Sequence, residues 1–550
     1  PDRHYLESWG DSHPRLGFYA LQQPAMQPVP LFDSKPMGDV LLSVSQRLGT
    51  DLGSATFADF LKTEWQDIQA VAAPGRDFDA FWRESLRDGV VALPESVEET
   101  PVPLRSPDAI LNFDVPDLDG TGEFALLVYP SPRFGDGKHG DRPWLQELPD
   151  PVSKMAWHSW VEVHPHAAEA MGVRDGDVVR ISSPHGQVEA PVWTYPGIRE
   201  DCVGLAMGGG HESLGRFARG MGVNAMKLLP AEAEQPSGAM VYLATRVSLE
   251  ATGERRPMAT IEGSSDQHGR PIAPAIALSA LGHGAQEHAE DEHGEGGHGE
   301  LKEIQAMGGF APVAVDGKPE DFPLEGSRYG QYDPEENPRW AMTIDLDKCT
   351  GCSICVTACQ SENNVPWVGE EQVVMGRDMH WIRMERYYET LDASHAGPVD
   401  VRFLPMICQH CGNAPCEPVC PVYAAYHTPE GLNAQVYNRC VGTRYCANNC
   451  PYKVRVFNWF GFTEMAKPGD EPSVRPAEPM NWAFNPDVTV RSSGVMEKCS
   501  LCVHRLREVQ NRARVEGQRP LEDGEVVPAC QQSCPAQAIT FGDIRDPHSR

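Results

Sequence analysis

A run of four cysteines constrains this chain more than any other feature. Cys349, Cys352, Cys355 and Cys359 are separated by two, two and three residues. Thiolates at this spacing hold cubic iron-sulfur clusters, because a tight loop of three cysteines reaches three irons while the fourth cysteine serves a second cluster. All but one of the 16 cysteines of the chain lie in this run and in three runs that follow it. The pattern indicates an iron-sulfur electron carrier.

The three later runs repeat the first with small changes. The second consists of Cys408, Cys411, Cys416 and Cys420; the third of Cys440, Cys446 and Cys450, with Thr443 at a cysteine position; the fourth joins Cys499 and Cys502 to Cys530 and Cys534. Proline follows the last cysteine of each of these runs, as in ferredoxins. Disulfide frameworks belong to small secreted domains and zinc ribbons use isolated C-x2-C pairs, so both are disfavoured. The remaining cysteine, Cys202, is interpreted as a buried small hydrophobe.

The four runs predict a duplicated two-cluster ferredoxin whose halves are interleaved in the sequence. We assume that the outer runs (349–359 and 499–534) pair with each other, that the inner runs (408–420 and 440–450) do likewise, and that the last cysteine of each run ligates the other cluster. The predicted ligand sets are then site 1 (Cys349, Cys352, Cys355, Cys534), site 2 (Cys359, Cys499, Cys502, Cys530), site 3 (Cys408, Cys411, Cys416, Cys450) and site 4 (Cys420, Cys440, Cys446).

Site 4 lacks one thiol because Thr443 stands in its place. A hydroxyl stays protonated near neutral pH and is a poor ligand for iron, whereas thiols bind as thiolates. We therefore predict three 4Fe-4S clusters and one 3Fe-4S cluster, and no metal beyond their iron; the alternative for site 4 is a 4Fe-4S cluster with a non-cysteine ligand.

Arg439 and Arg444 flank site 4 and either raise the reduction potential of its cluster or are surface charges. His410 and His504 are candidate donors to sulfur.

Composition limits the classes of partner. The chain has 550 residues and a formal net charge of -31, which argues against nucleic acid and leaves either a solvated acidic surface or docking of a basic redox protein. No apolar run approaches the ~18 to 20 residues that cross a bilayer, so attachment to a membrane is expected through partners. C-x-x-C-H is missing from the sequence, so no c-type haem is expected on this chain. A start at Pro1 without methionine suggests a processed or truncated chain.

The texture of the sequence predicts four regions. Residues 1–143 are expected to be α/β, with a helix at 56–71 capped by Thr56 and a buried strand at 124–129. Residues 144–275 are β-rich, with a hairpin formed by 176–181 and 186–192. A glycine-rich stretch at 208–224 either lets backbone N–H groups approach a phosphate or pterin or forms a tight turn. Residues 276–338, with His283, His288, His293 and His298, are a flexible acidic linker, and 339–550 carry the cysteine runs.

Two resemblances refine this organisation. The segments 7–11 (Glu-Ser-Trp-Gly-Asp), 144–151, 176–177 and 220–224 resemble the C-terminal portion of molybdopterin oxidoreductases, including their dinucleotide-binding barrel. The molybdenum ligand of that family would lie upstream of Pro1, so we expect this part to be free of molybdopterin. The resemblance implies an α/β plus β-barrel portion, followed by the duplicated ferredoxin-like α+β domain.

The region from Trp340 to Trp381, with Tyr387 and Tyr388, resembles the electron-transfer subunits of polysulfide-reductase-type complexes. Its fusion to a molybdopterin-enzyme-like part resembles the iron-sulfur subunits of alternative complex III, a family of bacterial quinol oxidoreductases. That resemblance implies a multi-helix quinol-binding membrane partner, cytochrome c subunits or a terminal oxidase as acceptors, and a periplasmic location. It implies no catalytic acid, base or nucleophile on this chain. The alternative is the electron-transfer part of a true molybdenum enzyme truncated at its N-terminus; the clustered thiols disfavour a purely structural module.

Overall fold

The computed structural model describes residues 3–30, 33–93, 118–233, 238–261, 264–270, 272–275, 338–390, 399–462, 480–544, 546 and 548–549. The predicted linker and its four histidines lie outside these residues, apart from position 338. The chain forms two compact units, Pro1–Asp114 and Val115–Arg550.

The first unit joins a small antiparallel sheet to three helices. Its strands are β1 (Gly10–Arg15), β2 (Phe18–Gln22) and β3 (Val90–Ala92), in the order β1-β2-β3, and its helices are α1 (Met37–Arg47), α2 (Phe57–Ala72) and α3 (Phe78–Asp88). The Thr56 hydroxyl accepts the N–H of Asp59, so the predicted N-cap of α2 is confirmed. The strands differ from the α/β pattern expected for this region because β1 and β2 are joined directly by a tight turn and pair as a hairpin.

A closed six-stranded barrel opens the second unit. Its strands are β4 (Phe124–Pro130), β5 (Val161–Val163), β6 (Asp177–Ser182), β7 (Gln187–Thr194), β8 (Cys202–Met207) and β9 (Arg246–Arg255), in the order β4-β8-β5-β7-β6-β9. The predicted hairpin is confirmed as the antiparallel pair β6 and β7. Strand β4 pairs in parallel with β8, so it belongs to the barrel. The barrel therefore begins before residue 144, the position at which the sequence predicted its first residue. Helices α4 (Pro143–Glu147) and α5 (Pro165–Met171) lie in its connections.

Apolar side chains fill the barrel because alternate residues of each strand point inward. In β4, Phe124, Leu126 and Val128 are buried while the residues between them are half-buried. Cys202, at the start of β8, is also buried, as predicted, and is a free thiol.

The cysteine-rich part is held together by four two-stranded antiparallel sheets. They pair β10 (Trp340–Ile344) with β17 (Ile539–Asp543), β11 (Arg383–Thr390) with β12 (Val399–Met406), β13 (Ala425–His427) with β14 (Asn433–Gln435), and β15 (Val456–Phe457) with β16 (Met496–Glu497). Its helices are α6 (Ile354–Glu362), α7 (Glu370–Val374), α8 (Tyr445–Asn449), α9 (Val503–Val515) and α10 (Ala529–Gln532). The pairing of β10 with β17 brings the first and last runs together.

The barrel part and the cysteine-rich part share one hydrophobic core. At its centre, the buried carboxylate of Glu147 accepts the backbone N–H groups of Val368 and Gly369 at 2.8 Å. Trp144 packs edge-on against Trp367, with ring centroids 5.4 Å apart. No helix in the described part of the chain is long and apolar enough to span a membrane.

Candidate iron-sulfur sites

The first cysteine run adopts a turn that leads directly into a helix. Gly351 has φ +66° and Ser353 has φ +60°, both in the left-handed region. A Cβ at position 351 would lie 2.4 Å from the ring of Phe403, so the turn requires glycine there. Helix α6 follows and carries Cys355 and Cys359 one turn apart.

The third run repeats this backbone frame. Gly442 has φ +71° and Arg444 has φ +61°, and α8 then carries Cys446. Thr443 thus occupies the position that Cys352 has in the first run. Thr443 lines a small cavity together with the three cysteines of site 4, Cys420, Cys440 and Cys446. The cavity places the threonine among the cysteines, where the sequence spacing expects a ligand.

The thiols of the outer runs fall into two groups. Cys355 interacts electrostatically with Cys352, Cys349 and Cys534, the other three cysteines of site 1.

Cys359 interacts most strongly with Cys499, Cys502 and Cys530, the other cysteines of site 2. The amide of Asn363 lies 3.6 Å from the Cys359 sulfur and 3.7 Å from the Cys502 sulfur, which fixes these two thiols side by side. The structure therefore separates Cys359 from its own run and gathers it with the fourth run.

The thiols of the inner runs also form two groups. Cys411 interacts with Cys408 and Cys450, and Cys416 interacts with Cys408, which gathers the four cysteines of site 3. Cys446 interacts with Cys440 and Cys420, the cysteines of site 4.

Burial makes these thiols poor acids on their own. Burial first, and then the neighbouring thiols, raise the pKa of Cys355 and of Cys530 to about 12. All 16 cysteines are free. Several thiolates this close together in a buried space need positive ions to balance them, and iron supplies that charge in cysteine-ligated clusters. The donor set therefore fits iron-sulfur clusters.

Site 4 is electrostatically distinct from the others. Burial opposes ionisation of Cys420, but the backbone N–H groups of Ala425, Val422 and Ala424 outweigh it and lower the pKa of this thiol. The Cys420 thiolate is thus favoured by the protein itself.

Backbone amides supply the hydrogen bonds to several sulfurs. The N–H of Ala424 donates to Cys420 at 3.1 Å, and the N–H of Ala538 donates to Cys534 at 3.3 Å. In both cases the donor lies four residues after a cysteine that is followed by proline. The same local turn thus serves two different sites.

The two histidines proposed as sulfur donors have other partners. The His504 ring bonds Glu362 at 2.7 Å, and Nδ1 of His410 accepts the N–H of Asn433 at 3.0 Å. Each of these bonds uses one ring nitrogen, and donation to sulfur by the other nitrogen stays a prediction. Asn363, which had no recognisable spacing, is a side chain that does reach the sulfurs.

Cations near the sites include Arg444, which lines the cavity of site 4, and two buried cations that the sequence did not single out. Arg439 and Arg444 lie over aromatic rings, with the Arg444 guanidinium 4.5 Å from the centroid of Trp459. The buried Arg455 instead interacts with Cys416 of site 3 and Cys446 of site 4, so it lies between these two sites. Lys498, also buried, interacts with Cys499 and Cys416, of sites 2 and 3. Of these two buried cations, only Lys498 could have been found from the sequence, because it directly precedes Cys499.

The glycine-rich stretch of the barrel part packs against protein. A Cβ at Gly210 would lie 2.3 Å from the backbone nitrogen of Asn224, and one at Gly209 would lie 2.8 Å from the Ser159 hydroxyl. The close approach that these glycines allow is therefore between two loops of the same chain. This arrangement agrees with the tight-turn interpretation at Gly209 and Gly210.

These four groups of buried and half-buried free thiols define a protein of the multi-cluster ferredoxin class. Family models agree: residues 348–424 and 399–467 each match a 4Fe-4S dicluster domain, and residues 144–237 match the molybdopterin dinucleotide binding domain.

Three curated relatives cover the cysteine-rich part. The chain is 41% identical over 215 residues to the iron-sulfur cluster-binding subunit of menaquinone reductase from Nitratidesulfovibrio vulgaris, an alignment that covers 38% of this chain and 78% of the relative. It is 34% identical over 231 residues to iron-sulfur subunit 1 of an Hdr-like menaquinol oxidoreductase from Archaeoglobus fulgidus, covering 39% and 74%. It is 38% identical over 213 residues to the iron-sulfur subunit of a putative dimethyl sulfoxide reductase from Halobacterium salinarum, covering 38% and 68%. The chain belongs to this family of iron-sulfur electron-transfer subunits.

Proposed function

We propose that this chain is the electron-transfer subunit of a membrane-associated respiratory quinol:acceptor oxidoreductase of the alternative complex III type. The observation that carries the proposal is the grouping of the clustered thiols into four adjacent sites within one compact unit. Clusters bound there supply one-electron carriers. The ligands are those named for sites 1 to 4, with three 4Fe-4S clusters and one 3Fe-4S cluster.

The contacts between sites support a linear order. Cys355 of site 1 interacts with Cys530 of site 2, and Cys499 of site 2 interacts with Cys408 of site 3. Arg455 connects sites 3 and 4. We therefore infer the order 1, 2, 3, 4, with the inner and outer pairs meeting between sites 2 and 3.

Site 4 is the proposed entry point. Thr443 removes one ligand, which favours the 3Fe-4S form, and site 4 stands at one end of the inferred order. A multi-helix membrane partner would oxidise quinol beside it, and cytochrome c subunits or a terminal oxidase would accept electrons from the other end. The names of two relatives, a menaquinone reductase and a menaquinol oxidoreductase, support a quinone as the partner of such complexes.

The barrel part is proposed to be a scaffold without molybdopterin. Its glycines at 209 and 210 approach Ser159 and Asn224, and this contact between two loops supports a structural role for the glycine-rich stretch. We place the complex on the periplasmic face of the inner membrane, held by its partner subunits.

The second candidate is the electron-transfer part of a true molybdenum enzyme that reduces a sulfur or nitrogen compound. It is favoured by the match of residues 144–237 to the molybdopterin dinucleotide binding domain. It is also favoured by the similarity to the iron-sulfur subunit of a putative dimethyl sulfoxide reductase.

The complex purified from its native membranes separates the two candidates. Iron, molybdenum and pterin are measured in the same sample, together with electron paramagnetic resonance (EPR) spectra before and after addition of a menaquinol analogue. We expect iron for all four sites, a 3Fe signal in the oxidised state that disappears on addition of the quinol, and no stoichiometric molybdenum. Molybdenum with bound pterin would overturn the first candidate, and clusters that the quinol fails to reduce would remove the quinol assignment.

A further inference from the structure

Lys154 belongs to the barrel part by sequence, but its side chain is buried against the cysteine-rich part. It lies between α4 and β5, and the residue is only 1% exposed. Its backbone has φ +61°, a left-handed conformation that is unfavourable for a residue with a Cβ. Hydrogen bonds hold it there, because its N–H donates to the Asp150 carbonyl at 3.1 Å and its carbonyl accepts the N–H of Ile261 at 3.0 Å. The position of this cation is thus fixed.

The ammonium group is directed towards the first cysteine run. Its nitrogen lies 5.4 Å from the ring centroid of Phe403. The same ring is the neighbour that a Cβ at Gly351 would strike, so Phe403 lies close both to Lys154 and to the turn that carries Cys349 and Cys352. Lys154 is also close enough to favour the thiolate of Cys349 electrostatically. A buried cation from the barrel part therefore lies at the edge of site 1.

A buried charge is unfavourable unless an opposite charge lies near it. A cluster held by four thiolates is negatively charged, and one-electron reduction makes it more so. The interaction between Lys154 and such a cluster is screened less than one between two exposed charges, because Lys154 is buried. The cation therefore stabilises the reduced form more than the oxidised form.

We propose that Lys154 is a positioning charge for site 1 and raises the reduction potential of the cluster held there. The inference rests on the proposed function, because it requires a cluster at site 1. It also assigns the molybdopterin-like part a role in electron transfer: one of its loops contributes to the environment of the cluster at the far end of the inferred order from site 4.

The test compares Lys154→Met with Lys154→Arg and with Lys348→Met in the purified complex. Lys348 is the matched control, since it precedes Cys349 in the sequence but its side chain is 60% exposed and is paired with Asp345 at 3.1 Å. Each variant is titrated by EPR at controlled potentials. We expect Lys154→Met to lower the reduction equilibrium constant of one 4Fe-4S cluster on the order of tenfold, equivalent to about 59 mV for one electron. Lys154→Arg should stay close to the wild type, and Lys348→Met should change the potential much less.

Two results would overturn the inference. One is an unchanged potential in Lys154→Met with all clusters present, and the other is an equal shift in Lys348→Met. If Lys154→Met assembles poorly, Lys154→Gln removes the same charge with a polar side chain, and retention of the potential by Lys154→Arg distinguishes a charge effect from a packing effect. Failure of the proposed function has a different signature, namely molybdenum with bound pterin or clusters that the quinol does not reduce, and neither result changes the potential measured for site 1.

Discussion

The first and third cysteine runs share a backbone but differ at one ligand and in their surroundings. Both turn through a left-handed glycine, Gly351 or Gly442, and enter a helix through a second left-handed residue. Cys352 completes the first turn, whereas Thr443 completes the third. The first run lies near the barrel part through Lys154, and the third is bordered by Arg444 on its aromatic rings. The comparison shows one turn geometry with two different side chains at the ligand position, and we propose that this side chain decides which cluster forms.

The largest effect is expected where that side chain is exchanged. Thr443→Cys gives the third run the same ligands as the first and should convert site 4 from a 3Fe-4S to a 4Fe-4S cluster, because a thiolate retains the fourth iron. EPR of the oxidised protein should lose its 3Fe signal, and the iron content should rise. Thr443→Ser is the matched control and should keep the 3Fe signal. Absence of that signal from the wild type would contradict the assignment.

The second change tests whether a site closes through a distant run. Cys534→Ala should remove the cluster of site 1, because Cys534 lies with Cys349 and Cys355, whereas the cluster of Cys359 should survive. Iron analysis with EPR of the reduced protein measures the loss. Cys202→Ala, at the one cysteine outside the runs, should leave iron and spectra unchanged. Selective loss of the Cys359 cluster would show that the runs pair differently.

The third change breaks a buried contact between the segments next to the two outer runs. Arg491 donates to the Asn363 carbonyl at 2.7 Å and to the Glu497 carboxylate at 2.7 Å, and both charged side chains are buried. Arg491→Met leaves the Glu497 charge without this partner and should cost about 3 to 5 kcal/mol of stability. The urea concentration that bleaches half of the cluster absorbance reports the change.

An exposed ion pair provides the control for that experiment. Arg180 and Glu189 lie 2.8 Å apart with side chains 40% and 47% exposed. Arg180→Met should cost no more than about 1 kcal/mol, because water screens the pair. Equal urea midpoints for the two variants would show that burial of the Arg491 pair contributes nothing.

The smallest effect concerns the contact between the barrel part and the loop after the first run. Burial raises the pKa of Glu147 from 4.5 to about 8, although hydrogen bonds from Val368, Gly369 and Trp157 oppose the shift. The folded state therefore binds this proton more tightly than the unfolded state, and the stability from this group falls as pH rises from about 4.5 to about 8.

Glu147→Gln should remove the contribution of this proton to stability. The melting temperature should then decline less between pH 4.5 and about pH 8 than it does in the wild type. The control Glu250→Gln changes a side chain that is 76% exposed and should leave the slope unaltered. Parallel pH profiles for wild type and Glu147→Gln would mean that Glu147 is ionised in the folded protein throughout the range.

Local patterns in the sequence were sufficient for some features and insufficient for others. The thiol runs, the Thr56 cap and the β6–β7 hairpin depend on residues close in the chain, so spacing and periodicity reveal them. The barrel boundary was misplaced because β4 pairs with β8, more than 70 residues later, and no local signal records that contact. The ring of His504 turns to Glu362, and Glu147 and Lys154 are buried by packing between distant segments. No local sequence motif marks a charged residue that is buried between two distant segments.

The pairing of β10 with β17 has a consequence for how the protein is made. These strands are the first and last of the cysteine-rich part, and with them come the first and last cysteines. During synthesis from the N-terminus, the proposed ligands of sites 3 and 4 are complete once Cys450 has been added, whereas sites 2 and 1 wait for Cys530 and Cys534. The inner sites are thus expected to be available for iron loading first, and a chain that ended before Cys530 would lack the ligands that complete sites 2 and 1.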